Sequence, residues 1–173
     1  VLGLDGSETM ISRASAIAIK NGFTNCEFIL GEIEDIPLPD NSLDLIMSNC
    51  VINLSTDKYR VYSEIYRCLR NGGRTAISDI TLQKTLPKEW VSDPNMVKTW
   101  VGGAWSAEQI QTAFEKIGFT NINILSKDVS DEYAKKWGHG LEIKTYIQSS
   151  LIYAEKSTPT VQEEPEYHIP PHT

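Results

Sequence analysis

The feature that most constrains the fold is a repeated alternation of short apolar runs with segments that carry helix signals. Residues 1–4, 27–30, 43–47 and 75–78 are predicted strands, and helical spacing of apolar residues fills two of the intervals between them. Strands that alternate with helices pack as a parallel sheet with helical crossovers. The sequence therefore predicts an α/β fold with a mostly parallel sheet and helices on both faces.

Capping and turn residues predict where the helices begin and end. Ser7 is a good N-cap for the first helix, and a polar run at residues 55–57 caps the second. The run at residues 71–73 contains two glycines and is predicted to end that second helix. Ser106 caps a third amphipathic helix, which Gly118 stops.

The C-terminal part is predicted to form the edge of the sheet and then to continue as a disordered tail. Residues 122–125 and 147–154 are expected to form an antiparallel pair at the sheet edge. After residue 156 the chain is rich in proline and glutamate and cannot bury enough apolar surface to order itself. We therefore expect one domain over residues 1–156 and a disordered tail over residues 157–173.

Charge and composition narrow the class of partner. The net charge of −7 argues against binding to nucleic acid or to an anionic membrane, because phosphate would be repelled. No apolar run is long enough to span a bilayer, and no secretory signal is recognisable. The three cysteines form no CxxC pair, which favours a reduced, cytoplasmic setting and a small-molecule partner: Cys26, Cys50 and Cys68.

Three sequence blocks carry a resemblance to a known family. They are LGLDGS at residues 2–7, GEIEDIPLPDNSLD at residues 31–44 and YRCLRNGG at residues 66–73. In this order and spacing they resemble the class I S-adenosylmethionine (SAM)-dependent methyltransferases, and the resemblance covers residues 1–156. It implies a Rossmann-like class I methyltransferase fold and S-adenosylmethionine as the cofactor.

The resemblance also implies a set of cofactor-binding residues at the carboxyl ends of the strands, where open parallel sheets bind ligands. Asp5 would accept hydrogen bonds from the ribose hydroxyls, or alternatively would be a helix N-terminal acid. Glu32 would meet the adenine amine and Ile33 would pack on the ring, unless Ile33 is a core residue. Gly6 stands where the family usually has an apolar residue against the adenine. Asn49 would face the amino-acid end of the cofactor or the acceptor.

A narrower resemblance concerns the acceptor. The runs SNCVINL at residues 48–54, GGA at residues 102–104 and YIQSSLIYA at residues 146–154 resemble the arsenite methyltransferases. In that subfamily the cysteine of the first run, here Cys50, binds trivalent arsenic, which is thiophilic. Cys50 is thus the candidate catalytic residue.

Other interpretations stay open, because Trp100 stands where the subfamily has a second thiol. One is a small-molecule C- or O-methyltransferase of the ubiquinone-biosynthesis type. Another is an inactive fragment or interaction module, in which Cys50 would be a buried small hydrophobe. No metal site is expected, since His168 and His172 lie in the proline-rich tail without a partner.

The first strand and the glycine-rich loop of the family are not found upstream of residue 1. We therefore expect an N-terminally truncated domain whose first strand is missing. The strand that ends at Asp5 would then lack a neighbour on one side, and an open strand edge invites pairing with another chain. Pairing with a second copy as a homodimer is one expected consequence.

Overall fold

The computed structural model of the protein describes residues 1–91, 101–135 and 140–158. The elements in chain order are β1 (Leu2–Asp5), α1 (Glu8–Lys20), β2 (Glu27–Leu30), β3 (Leu43–Asn49), α2 (Lys58–Cys68), β4 (Leu69–Leu82), α3 (Lys88–Val91), α4 (Ala107–Ile117), β5 (Phe119–Asp128), α5 (Asp131–Ala134) and β6 (Ile147–Lys156). Short 3-10 turns lie at Ile52–Leu54 and Gly140–Thr145. Trp100, His139 and the tail from residue 159 lie outside the described residues, so the division into domain and tail stays a prediction.

The strands form two sheets rather than one. β1 and β2 pair in parallel, and the second sheet has the order β3-β4-β6-β5. β3 runs parallel to β4, whereas β6 is antiparallel to both β4 and β5. The predicted antiparallel pair at the sheet edge is thereby confirmed. Within the part of the chain that the structure describes, β1 and β3 each have one paired neighbour.

The helix caps form as the sequence indicates. Ser7 accepts a hydrogen bond from the Met10 amide, and Ser106 forms a reciprocal capping box with Gln109. Gly118 ends α4 in the left-handed region with φ 110°. A glycine adopts this conformation without the steric clash that a Cβ atom causes in other residues.

The junction between α2 and β4 differs from the prediction. The glycine-rich run at residues 71–73 does not end the helix, because α2 already ends at Cys68 and Leu69 is extended, with φ −68° and ψ 135°. Leu69 is fully buried and pairs with Leu43, so the strand begins there. The run then lies within β4 at a register irregularity between the Leu43 and Leu45 pairings.

Two apolar clusters hold these elements together. In the larger, α2 and α4 pack on one face of the four-stranded sheet, through residues that include Ile52, Val61, Ile65, Ile77, Phe114 and Ile152. The smaller lies toward the end of β4 and the start of β6, and includes Ile80, Trp90, Val101, Ile143 and Ile147. Among the described residues, no helix is long and apolar enough to cross a membrane.

The opposite face of the four-stranded sheet is open. Met47 is 73% exposed, Leu125 is 70% exposed and Leu151 is 55% exposed. They line a shallow groove of about 570 Å³. The apolar run at residues 43–47 is typical of a parallel strand that is buried on both faces, but this face of β3 is exposed. Apolar composition indicated burial, but burial requires a covering element.

Candidate functional site

The loops that follow β1 and β2 bring three of the predicted cofactor residues together. Asp5 is the last residue of β1, and its Oδ1 accepts a hydrogen bond from the Ser7 amide at 2.9 Å. The Gly31 amide donates to the Asp5 carbonyl at 3.1 Å, which holds the two strand ends side by side. A Cβ atom on Gly6 would lie 3.3 Å from the Glu32 carboxylate. Gly6 therefore leaves the space that Glu32 fills, and the carboxylates of Asp5 and Glu32 are both exposed.

The other two predicted cofactor residues lie elsewhere. Ile33 is half-buried and packs against the larger apolar cluster, so it has at least a structural role. Asn49 ends β3 in the other sheet and lines the open groove together with Met47 and Leu151.

The loop after β2 is fixed to α2 and to the segment that follows Cys50. The Ser55 hydroxyl donates a short hydrogen bond to the Glu34 carboxylate, and Arg60 Nε donates to the Glu34 carbonyl at 2.9 Å. The Ile36 amide donates to Glu64 Oε2 at 2.9 Å. These contacts connect the Asp5–Glu32 region to the part of the chain that carries the candidate thiol.

Cys50 occupies a turn directly after β3, with φ 53°, which lies in the left-handed region. Residues other than glycine rarely adopt this conformation, and such positions concentrate at functional sites. The Cys50 amide donates to the Ser78 carbonyl at 2.8 Å, which fixes the turn against β4. The side chain is half-buried, and its sulfur is hydrogen-bonded to the Tyr133 hydroxyl.

The surroundings of Cys50 keep its thiol protonated. Burial raises the pKa of the Cys50 thiol, and the negative charge of Asp79 raises it further. The hydrogen bond from Tyr133 acts in the opposite direction and lowers the pKa. The site therefore presents a thiol rather than a free thiolate at neutral pH.

Asp79 is a buried carboxylate whose charge acts on this thiol, and Lys58 is a buried ammonium group whose charge acts on Asp79. Each is only 4% exposed. Asp79 Oδ1 accepts from the Asn53 side-chain amide and from the Ile80 amide, both at 2.8 Å. Lys58 Nζ donates to the Ser55 carbonyl at 2.8 Å. Burial raises the pKa of Asp79 and lowers the pKa of Lys58, and their mutual attraction opposes both changes.

Sequence reasoning found only part of this arrangement. The strand predicted over residues 75–78 places Asp79 directly after it but does not determine whether its side chain faces the crevice or solvent, and the structure buries it. Lys58 and Tyr133 were missed, because a lysine in the first turn of an amphipathic helix and a tyrosine in a short polar helix normally face solvent. No local sequence signal distinguishes them from solvated residues.

The glycine pair at residues 102–103 closes one side of the cluster. A Cβ atom on Gly103 would lie 2.3 Å from the Asn53 carbonyl oxygen and 3.2 Å from Lys58 Nζ. A glycine is required for so close an approach of two backbone segments. Trp105, two residues later, packs edge-on against Tyr62 at 6.0 Å between ring centroids. In the described ranges, no group of three or more histidine, cysteine, aspartate or glutamate side chains is placed to hold a metal ion.

Comparison of the sequence with known proteins identifies relatives of this chain. The chain is 37% identical over 156 residues to the arsenite methyltransferase of Halobacterium salinarum, an alignment that covers 90% of the chain and 40% of that protein. It is 38% identical over 132 residues to the arsenite methyltransferase of Aquipseudomonas alcaligenes, covering 72% of the chain and 38% of that protein. The chain thus spans about 40% of the length of these curated relatives.

A solved structure shows the same fold. The crystal structure of an arsenic(III) S-adenosylmethionine methyltransferase from Chlamydomonas reinhardtii superposes with a TM-score of 0.76 and 32% sequence identity. The superposition covers 92% of this chain and 56% of that one. The predicted Rossmann-like class I methyltransferase fold is therefore confirmed.

A family model described as a methyltransferase domain matches residues 1–138. The chain therefore belongs to the methyltransferase-domain family, and its predicted resemblance to class I SAM-dependent methyltransferases of the arsenite methyltransferase type is confirmed.

Proposed function

We propose that this domain binds S-adenosylmethionine and transfers its methyl group to a small acceptor, trivalent arsenic, held by Cys50. The observation that carries the proposal is the environment of Cys50. Its thiol is half-buried in a strained turn at the carboxyl end of a parallel strand, between Tyr133 and Asp79. The relatives named as arsenite methyltransferases support trivalent arsenic as the acceptor.

The cofactor part of the proposal rests on the Asp5–Glu32 region. Bound S-adenosylmethionine would supply an electrophilic methyl group on a sulfonium sulfur. Asp5 would accept hydrogen bonds from the ribose hydroxyls, and Glu32 would accept one from the adenine amine. Gly6 leaves room for the Glu32 carboxylate beside the end of β1, so that both proposed acceptors lie at the same strand ends. Ile33 would pack on the adenine, and Asn49 would contact the amino-acid end.

The acceptor chemistry at Cys50 is a condensation. The sulfur–arsenic bond forms, an arsenic–hydroxyl bond breaks, and the thiol proton leaves with the hydroxide as water. A protonated thiol therefore suffices for the step. The arsenic lone pair would then form an arsenic–carbon bond as the methyl–sulfur bond breaks, which releases S-adenosylhomocysteine and leaves the arsenic pentavalent. The half-buried site would limit water around the reacting atoms and hold the lone pair toward the methyl group, so rate acceleration would come from positioning and desolvation.

The test is an assay of arsenite with S-adenosylmethionine carrying a labelled methyl group, followed by chromatography of arsenic species. The unaltered protein should produce a labelled methylarsenical, and Cys50→Ser should produce none. Cys26→Ser is the matched control, because Cys26 precedes β2, away from the site, and should leave product formation unchanged. Product from Cys50→Ser at the unaltered rate would contradict the proposal.

Pairing of two copies stays a prediction, prompted by the open edges of β1 and β3. Sedimentation equilibrium distinguishes a particle of 19.4 kDa from one of twice that mass. The larger mass, persisting at micromolar concentration, is the outcome that pairing requires.

A further inference from the structure

We propose that Ser55 couples two parts of the site, the turn at residues 32–35 (the cofactor turn) and the turn at residues 50–54 (the acceptor turn). Through its hydrogen bond to Glu34, Ser55 holds Glu32 where it would contact the adenine, without contacting the cofactor itself. Ser55 is thus a positioning residue. The proposal rests on the function proposed above and deepens it, because occupancy of the cofactor turn then regulates the acceptor turn.

The first observation is that every polar group of Ser55 is used. Ser55 is only 7% exposed. Its amide donates to the Ile52 carbonyl at 3.0 Å, and its carbonyl accepts from Lys58 Nζ at 2.8 Å. Its hydroxyl accepts from the Asp57 amide at 3.1 Å and donates a short hydrogen bond to the Glu34 carboxylate. A buried residue held in this way has little freedom to move by itself.

The second observation concerns the cofactor turn. The Asp35 amide donates to the Glu32 carbonyl at 3.2 Å, which closes the turn around Glu34. The Glu34 carboxylate is held by Ser55, and its carbonyl is held by Arg60 Nε at 2.9 Å. The side chain of Arg60 is 54% exposed, so the contact with the buried Ser55 is the better protected from water. A hydrogen bond to a carboxylate is also stronger than one between neutral groups.

The third observation concerns the acceptor turn, which ends directly before Ser55. Cys50 begins this turn with φ 53°, and the Leu54 amide donates to the Val51 carbonyl at 3.0 Å. The Asn53 side chain donates two hydrogen bonds to β4, both at 2.8 Å. Successive residues of the turn are therefore fixed, and a displacement of Ser55 is passed to the turn that carries the thiol.

A double-mutant cycle tests the coupling at the cofactor turn. Calorimetric titration measures the affinity for S-adenosylmethionine in Ser55→Ala, Glu32→Gln and the double variant. We expect Ser55→Ala to weaken binding about fivefold alone, but less than about twofold in the Glu32→Gln background, because Ser55 acts through Glu32. In the Asp5→Asn background the full loss should persist, since Asp5 lies on β1 outside the turn. No weakening by Ser55→Ala, or equal weakening in all backgrounds, would overturn the proposal.

Matched variants separate positioning from a general loss of structure. Ser55→Thr keeps the hydroxyl on an extended backbone and should bind within about twofold of the unaltered protein. Glu34→Ala removes the same hydrogen bond from its other end and should repeat the cycle with Glu32→Gln, so the test does not depend on the folding of Ser55→Ala. Ser63→Ala removes a hydroxyl that donates to the Tyr59 carbonyl within α2, and should leave binding unchanged.

The second measurement reads the acceptor turn. Adenosine carries the ribose and adenine but lacks the amino-acid end of the cofactor, so it would act on Cys50 through the protein. Saturating adenosine should slow alkylation of Cys50 by iodoacetamide about threefold in the unaltered protein and not in Ser55→Ala, because a turn held in place opens less often. Cys26 is the internal control. Equal slowing in both proteins, or none in the unaltered protein, would overturn the coupling.

The two levels of the argument fail differently. If the unaltered protein does not bind S-adenosylmethionine, or Glu32→Gln binds it equally well, the proposed cofactor site fails and this proposal fails with it. If Glu32→Gln weakens binding while Ser55→Ala does not, only the role of Ser55 fails.

Discussion

The three cysteines of the chain have the same chemistry in isolation and three different environments in the fold. Cys68 is fully buried in α2, which makes it a core residue as its sequence position indicates. Cys26 is half-buried near its neighbour Asn25. Cys50 combines a left-handed backbone with a hydrogen bond from Tyr133 and the nearby charge of Asp79. At the scale of single residues, these neighbours distinguish Cys50 from the other two cysteines and make it the proposed acceptor residue.

Opposite pKa changes are predicted for two variants beside Cys50. Asp79→Asn removes a negative charge and should lower the pKa of the Cys50 thiol. Tyr133→Phe removes the hydrogen bond that favours the thiolate and should raise the pKa of the Cys50 thiol. Both pKa changes can be measured from the rate of alkylation by iodoacetamide. This rate is followed against pH for each cysteine by peptide mass spectrometry. Cys26 serves as the internal control, and a change of the same sign in both variants would contradict the assigned environment.

At the scale of elements, α2 does more than cover the sheet. Its buried Glu64 accepts from the Ile36 amide, and Arg67 donates to Glu64 and to the carbonyls of Ile36 and Leu38. One face of the helix therefore holds the loop between β2 and β3 in place. Because this loop begins at Gly31 and carries Glu32, the helix also positions part of the proposed cofactor site.

We predict that Glu64→Gln destabilises the fold by about 2 to 3 kcal/mol at neutral pH, because a buried carboxylate with several donors becomes a group that also donates. The hydrogen bond from Arg67 is the main reason that the pKa of Glu64 lies below its usual value. A depressed pKa contributes stability above the unfolded-state value, and this stability is lost as the pH falls through the folded-state value. Urea unfolding should therefore show that the difference in free energy of unfolding between Glu64→Gln and the unaltered protein shrinks below roughly pH 4. Glu108→Gln, on the exposed side of α4, is the control, and a difference independent of pH would contradict this account.

The elements also show what sequence can and cannot predict. Ser106 and Gly118 bound α4 because capping is a local interaction between residues close in the chain. The end of α2 at Cys68 was not predictable, since it depends on the pairing of Leu69 with Leu43, a contact distant in sequence. The contact between Tyr133 and Cys50 is likewise tertiary. The candidate thiol could be found from its motif, whereas the residues that set its chemistry could not.

At the scale of the whole molecule, the chain has one well-packed sheet face and one open one. α2 and α4 seal the first, while Met47, Leu125 and Leu151 leave an apolar surface on the second. Exposed apolar patches of this kind promote association or bind other surfaces. The apolar pattern of β3 predicted burial, but it could not reveal which element, if any, covers the strand.

Leu125→Lys should reduce binding of a hydrophobic fluorescent dye and raise the solubility limit. It should change the free energy of unfolding by no more than about 0.5 kcal/mol, since Leu125 is 70% exposed. Ile152→Lys is the contrasting variant. It lies on the neighbouring strand but is only 2% exposed, and a buried unpaired charge there should prevent folding. Unchanged dye binding in Leu125→Lys would show that the open face is not exposed in solution.

The central claim is the proposal that the loops after β1 and β2 form an S-adenosylmethionine site. Calorimetric titration of S-adenosylmethionine into the protein tests this claim most directly. The account predicts micromolar binding that Asp5→Asn weakens about tenfold or more, because a charged acceptor for the ribose hydroxyls is lost while the hydrogen bond from Ser7 can persist. Glu8→Ala, an exposed acid at the start of α1, should bind like the unaltered protein. Absence of binding to the unaltered protein, or equal binding by Asp5→Asn, would contradict the account.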